Sequence, residues 1–221
     1  TVVAEAIERG ADMIVAHHPA IFRGMKHLRT DLPLGRRLAA LLTHGIAAAA
    51  AHTNLDITRG GVNDVLAERL GLEKLSPFIT NEQEGGDAES LGRIGALPAP
   101  VSIEDFAHTV RERLGVSHVR LVRAAARPVR RVAVVGGAGA EFIDAAVRRG
   151  ADVYITGDVK YHEAQRAAEQ GMHLIDAGHF GTERPVLPVL AGLLRTELAA
   201  EHGTAAIFVT ETQRDVFDVI I

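Results

Sequence analysis

Cysteine is absent from these 221 residues. That excludes disulfide staples, thiol nucleophiles and thiolate metal sites together, and it leaves any metal to His, Asp, Glu or backbone oxygen. Such ligands favour Zn, Mn, Fe, Co or Ni over copper(I) or clusters. A surplus of positive charge is missing as well. Twenty-four basic residues against 28 acidic ones give a formal net charge of −4, so no global field recruits nucleic acid. The densest basic stretch, VRLVRAAARPVRRV from Val119 to Val132, reads as a surface strand and linker. Long apolar runs are lacking, since charge or glycine interrupts each of them, and no secretory signal is present. The expectation is a cytoplasmic protein with no membrane span. Lysine is scarce, with Lys26, Lys74 and Lys160 alone.

What is present suits a soluble globular chain with a sizeable core: 47% hydrophobic and 24% charged residues over a length that allows one large domain or two small ones. The chain opens at Thr1 inside a helical pattern, TVVAEAIER, so a preceding segment with a first strand is expected. Helix and strand then alternate. Gly10 stops the first helix before the buried-strand run DMIVA, and Gly45 stops the amphipathic helix LPLGRRLAALLTHG. Ile46 and five alanines follow. Alanine favours helix, but this run is too short for one and begins after a stop, so it reads as a strand packed tightly under helices. GVNDVLAERLGL is a helix opened by Gly60 and Gly61.

The composition turns polar from Glu73 to Gly86, as in a linker or exposed hairpin. LGRIGALP, HVRLVR and RRVAVVGG read as strands, and SIEDFAHTVRERLG as a helix capped by Ser102 with Asp105 in the capping-box position. VVGGAGAEF reads as a tight strand–helix turn, because it matches neither the Rossmann nor the phosphate-loop pattern. RDVFDVII reads as a last strand. The alternation predicts an α/β fold with mainly parallel or mixed sheets. Three segments are expected: a first half at 1–72, a short middle at 73–132 and a second half at 133–221, with the two halves packed as one unit.

The halves echo one another. EAIERGADMIVAHHP from Glu5 is answered by AAVRRGADVYITGDV from Ala145, and GIAAAAAHTNLD from Gly45 by GMHLIDAGHFGTE from Gly171. In this register Gly157 and Asp158 answer His17 and His18, His179 answers His52, and Glu183 answers Asp56. The echo predicts two pseudo-repeated halves with a strand-end metal site between them.

The polar residues of these motifs fall at strand ends, where α/β sheets place their ligand sites. His17 and His18 stand side by side where a strand gives out, and a loop there can turn both rings toward one point. His52 and Asp56 in AHTNLD share their spacing with His179 and Glu183 in DAGHFGTERP. Pro185 suits the first turn of a helix, so Glu183 is expected near a helix start. Either acid alone could be an N-cap or a dipole partner; the repetition of His-x-x-x-acid beside a His-His pair favours metal. Imidazole and carboxylate suit two divalent ions that share a bridging group. In TGDVKYHEA, Asp158 is either a helix cap or a member, with Lys160, Tyr161 and His162, of a ligand or acid–base cluster. The remaining histidines (27, 44, 108, 118, 173 and 202) read as structural residues on helices or exposed turns.

GADMIVAHHPAIF, HTNLD, GDVKYHEA and DAGHFGTE, in that order and across nearly the whole chain, resemble the Nif-three-like family, whose bacterial members are called GTP cyclohydrolase 1 type 2 homologues. The resemblance implies a dinuclear centre on His17, His18, Asp56, His179 and Glu183, and a toroidal homohexamer whose metal sites face an internal cavity. It also implies a further N-terminal segment, and in some members a middle domain larger than Glu73–Val132 can supply. Two functions follow. One is a metal-dependent hydrolase of a small molecule, a nucleotide being the class the family label suggests, with His52 or His162 as proton carrier and Lys160 and Arg184 as anion contacts. The other is a non-catalytic metal-binding regulator or scaffold.

Overall fold

The computed structural model describes residues 1–80 and 90–220. The chain forms two compact units, one of Thr1–Leu55 with Phe208–Val216, the other of Asp56–Ile207 with the chain end from Phe217.

In the first unit, α1 (Val2–Glu8) leads to β1 (Met13–Ala16), and α2 (Pro33–Thr43) leads to β2 (Ala47–Ala50). The Thr1 hydroxyl caps α1 by accepting from the Ala4 N–H. Gly10 (φ +63°) and Gly45 (φ +65°) end the two helices in the left-handed conformation that glycine adopts without strain. The strands pair in parallel, from Met13↔Ala47 to Ala16↔Ala50. Ala6, Leu41 and Ile46 form a small buried core, with Ile14 and Ile7 packed against it.

Neither strand is as buried as the sequence predicts. Met13 and Val15 are exposed, and three of the four β2 alanines are exposed as well. In this two-stranded sheet Ile14 faces the core of α1 and α2, while its neighbours, pointing the other way, meet no second layer within the unit. Residues 208–216 complete the unit by seating on Glu5. That carboxylate accepts from the hydroxyls of Thr210 (2.5 Å) and Thr212 (2.8 Å) and from the Glu211 N–H (3.1 Å).

From α3 (Thr53–Ile57) the chain enters the second unit. There α4 (Val62–Arg69), β3 (Glu73–Thr80), β4 (Ser90–Val101), α5 (Ile103–Leu114), β5 (Arg120–Val122) and β6 (Val129–Ala138) precede a 3₁₀ turn at Ala140–Phe142. Then come α6 (Ile143–Arg148), β7 (Val153–Gly157), α7 (Tyr161–Glu169), β8 (His173–Asp176), α8 (His179–Glu183) and α9 (Val186–Ala200). Six strands make one sheet in the order β3-β4-β6-β7-β8-β5. Only β6–β7 and β7–β8 are parallel; the other three pairings are antiparallel. The sheet is therefore mixed, not mainly parallel.

Successive side chains of one strand enter opposite cores. Val132 and Val134 pack with Leu66 and Leu70 of α4 and Phe106 and Val110 of α5. Ala133 and Val135 pack with Ile143 of α6 and Ala167 of α7. The cap of α5 is as predicted, Ser102 accepting from the Asp105 N–H, and VVGGAGAEF does turn from strand into helix.

One other expectation narrows and two change. Of the two readings of residues 73–80, linker or exposed hairpin, the second fits: they form a strand paired antiparallel with the next one, β4, and anchored by the buried Phe78; the rest of that polar stretch, 81–86, lies outside the described residues. Residues 214–220, expected to be a strand, form none, and their Val216 and Ile220 are exposed. His173 lies within β8, fully buried, rather than on a helix or turn. No helix among the described residues is long and apolar enough to cross a membrane.

In the second unit β7 and β8 pair from Val153↔His173 to Thr156↔Asp176. This is the register of β1 and β2 once Gly10 is set against Gly150 and Gly45 against Gly171. Those two glycines of the second unit also sit at φ +67° and +68°.

Candidate metal centre

The first unit brings three histidines together. His17 and His18 occupy the bend that directly follows β1, where the chain leaves the extended conformation that would point them apart. Their ring centroids are 4.8 Å apart. His52, two residues past β2, stands 5.4 Å from His17 and 5.0 Å from His18, with Phe22 at 6.1 Å. His17 is buried, and its Nδ1 lies 2.7 Å from the Ala51 carbonyl. A carbonyl can only accept, so Nδ1 carries the proton and Nε2 the lone pair. Fixing one nitrogen in this way presents the other as a metal ligand.

The second unit holds donors of its own. His179 and Glu183 open and close α8, a single helical turn, so their i,i+4 spacing puts both on one face. His179 Nε2 is 3.0 Å from Glu183 Oε1, and its Nδ1 is 2.8 Å from Asp158 Oδ2. Held between two carboxylates, the imidazole is raised to about 9: the Glu183 bond lifts it most, burial opposes, and the Asp158 bond adds to the rise. Glu183 ends α8 and stands two residues before Pro185, the cap of α9, so it lies near a helix start as expected.

Asp158 does not cap α7. Lys160 occupies that position, its backbone N–H donating to the Glu163 carboxylate (2.7 Å), and Asp158 turns to His179 from a left-handed backbone (φ +56°). Asp56 lies half-buried in α3. Lys160 and Asp158 line one cleft of about 310 Å³, with Glu141 and Glu163. His162 is exposed on α7 beside Tyr161, and Arg184 lies over the Phe180 ring at 5.7 Å.

The profile of the Duf34/NIF3 family (NGG1p interacting factor 3) matches residues 1–215. The chain belongs to that family. It is 33% identical over 220 residues to a Clostridium perfringens protein named GTP cyclohydrolase 1 type 2 homolog, covering 99% of this chain and 82% of the relative. A Streptococcus pneumoniae protein of the same name is 38% identical over 182 residues, 80% of this chain and 67% of its own. The fold matches the crystal structure of a Bacillus cereus protein related to NIF3 with a TM-score of 0.92 and 26% identity, covering 99% and 86% of the two chains.

Two features of this NIF3-family chain have no motif signal. Gly137, at φ +66°, passes so close beneath the donors that an added Cβ would lie 2.3 Å from Glu183 Oε1 and 3.2 Å from His179 Nε2. The donors therefore rest on bare backbone, a cradle a side chain would fill. Asp176, the last residue of β8, is buried. It accepts from the Gly178 N–H (2.9 Å) and the Val159 N–H (3.1 Å) and pairs with Arg120. One carboxylate thus ties the loop before His179 to the loop that carries Asp158. Gly137 falls in VVGGAGAEF, read as a tight turn, and Asp176 opens DAGHFGTE, where the spacing of His179 and Glu183 drew the reading.

Proposed function

We propose that this chain is a dinuclear-metal-dependent hydrolase, with two divalent ions per chain held by His17, His18, Asp56, His179 and Glu183. The observation that carries the reading is the presentation of donors. His17 has one nitrogen committed to a carbonyl, and His179 and Glu183 share one face of a one-turn helix over a side-chain-free floor. His17, His18 and Glu183 each offer one ligand atom of a kind that could serve an ion, and all five donors are of the type that borderline divalent metals take. The relatives' name adds the substrate class, a nucleotide.

Bound ions would supply Lewis acidity and bring the pKa of a coordinated water toward neutrality. The chain's own residues do the rest. Asp158 orients His179 through Nδ1, as a carboxylate behind a metal-ligating imidazole does. His52, beside His17 and His18, takes the proton released when water adds to the substrate, a task imidazole suits near pH 7; His162 is the more exposed candidate for the same role. Lys160, at the cleft it shares with Asp158, and Arg184 bind the substrate's anionic group. The matched strand registers and glycine stops of the two units support the reading of them as one duplicated helix–strand half. The family resemblance adds assembly into a homohexamer in the cytoplasm. The exposed Val189 and Leu193 of α9, one helical turn apart, offer an apolar face for a subunit contact. Light scattering should give six chains; a monomer mass across micromolar concentrations would contradict it.

The test is a screen of metal-loaded protein against nucleotides and phosphoesters, with Glu183→Ala as control. Turnover by the wild type and none by the variant is expected. Full metal content without turnover of any of them would favour the non-catalytic regulator or scaffold instead.

A further inference from the structure

Two buried polar side chains connect the donor-bearing segments of the second unit: Asn63, which belongs to none of the motifs, and Thr182, which lies within DAGHFGTE but is not one of its donors. Asn63, in the first turn of α4, is fully buried. Its Nδ2 donates to the Asp56 carbonyl (2.8 Å), and its Oδ1 accepts from the Gly136 N–H (2.9 Å). Thr182, midway through α8 and 1% exposed, accepts from the Gly137 N–H (2.9 Å). Its own proton goes back to the Gly178 carbonyl at 2.9 Å or the His179 carbonyl at 3.0 Å.

A buried amide or hydroxyl costs stability unless its bonds are made, and an apolar residue in either place would leave the Gly136 or Gly137 N–H without its acceptor. What the polar pair adds is a continuous path: Asp56 carbonyl, Asn63, Gly136, Gly137, Thr182, α8. Gly136 and Gly137 are consecutive residues at the end of β6, so the core sheet itself is the reference point. Asn63 fixes the Asp56 segment to it from one side, and Thr182 fixes the helix of His179 and Glu183 from the other.

We infer that Asn63 and Thr182 are positioning residues, which set the spacing between Asp56 and the His179–Glu183 pair through the Gly136–Gly137 backbone. Their effect on metal rests on the reading proposed above; their effect on the backbone does not. Asn63→Asp keeps the acceptor for Gly136 but turns the donor into an oxygen facing the Asp56 carbonyl. Thr182→Val removes the hydroxyl at nearly constant shape, and Thr182→Ser restores it.

The experiment titrates cobalt(II) into each protein, following its visible absorption bands, and measures amide exchange at Gly136 and Gly137 without metal. Loss of an outer partner of a metal ligand lowers affinity roughly 10–100-fold. Asn63→Asp and Thr182→Val should show that loss with altered cobalt bands. Gly137 exchange should accelerate in Thr182→Val, and Gly136 exchange in Asn63→Leu, which takes away its acceptor. Thr182→Ser should resemble the wild type in both measurements. Wild-type cobalt spectra in the first two variants, or a loss in Thr182→Ser equal to that in Thr182→Val, would overturn the inference. If the wild type takes up no cobalt, the metal reading fails on its own; the exchange rates then decide whether the two side chains organise this backbone, and unchanged rates overturn that too.

Discussion

Replacing Gly137 by alanine separates two costs that the cradle combines. The first is conformational: an L-residue held at φ +66° loses about 1–2 kcal/mol relative to glycine. The second is steric and specific to the site. The new methyl would fall 2.3 Å from Glu183 Oε1 and 3.3 Å from its Cδ, so the carboxylate must swing away and give up His179. A hydrogen bond to a charged group contributes about 1.5–3 kcal/mol; part of this returns as the displaced carboxylate meets water, so about 1–2 kcal/mol is the expected net.

Gly150 supplies the control. It has φ +67° and nothing within 4 Å of its would-be Cβ, so Gly150→Ala carries the conformational cost alone. Urea denaturation of the metal-free proteins at pH 7 should therefore place Gly137→Ala about 1–2 kcal/mol below Gly150→Ala, with equal slopes against denaturant. Equal losses in the two variants would refute the claim that Gly137 holds Glu183 against His179.

Other consequences are as direct. Asp176→Asn should destabilise by about 1–3 kcal/mol, because the new amide sets an N–H against the Val159 or Gly178 N–H; Arg120→Ala should cost about 1 kcal/mol or less, since Arg120 is 62% exposed and its ion pair is screened. Comparable losses in thermal melts would show that the ion pair, not the backbone bonds, matters. Glu5 is held down to about 2 from an ordinary 4.5, first by the Thr210 hydroxyl, then by the Glu211 N–H and the Thr212 hydroxyl. A lowered folded-state pKa stabilises above the unfolded value and loses that effect as pH falls through the folded one, so residues 208–216 should keep their amide protection above pH 4.5 and lose it between 4.5 and about 2. Glu5→Gln should flatten that dependence, and an unchanged acid transition in the variant would contradict the assignment.

Much of this architecture was legible because glycine and periodicity report on the backbone directly. Gly10, Gly45, Gly150 and Gly171 mark helix ends in the sequence and adopt left-handed φ in the structure. The His-x-x-x-acid spacing of His179 and Glu183 became one face of one turn because i and i+4 meet on a helix. The antiparallel pairings were less legible than the parallel ones. Glu73–Thr80 read as a linker or exposed hairpin because its burial rests on Phe78 rather than on a run of apolar residues, which left its place at the edge of the sheet open. Exposure of β1 and β2 was hidden too: DMIVA and the alanine run carry no polar alternation to mark an open face. Asn63, Thr182 and Asp176 escaped because they act through backbone N–H and C=O groups, which leave no spacing rule in the sequence.

The account stands most directly on the metal itself. Elemental analysis of protein purified without chelator should find about two divalent ions per chain in the wild type, with most of the metal lost in His18→Ala and in Glu183→Ala. A wild type that holds no divalent metal, or full metal content in both variants, would contradict it.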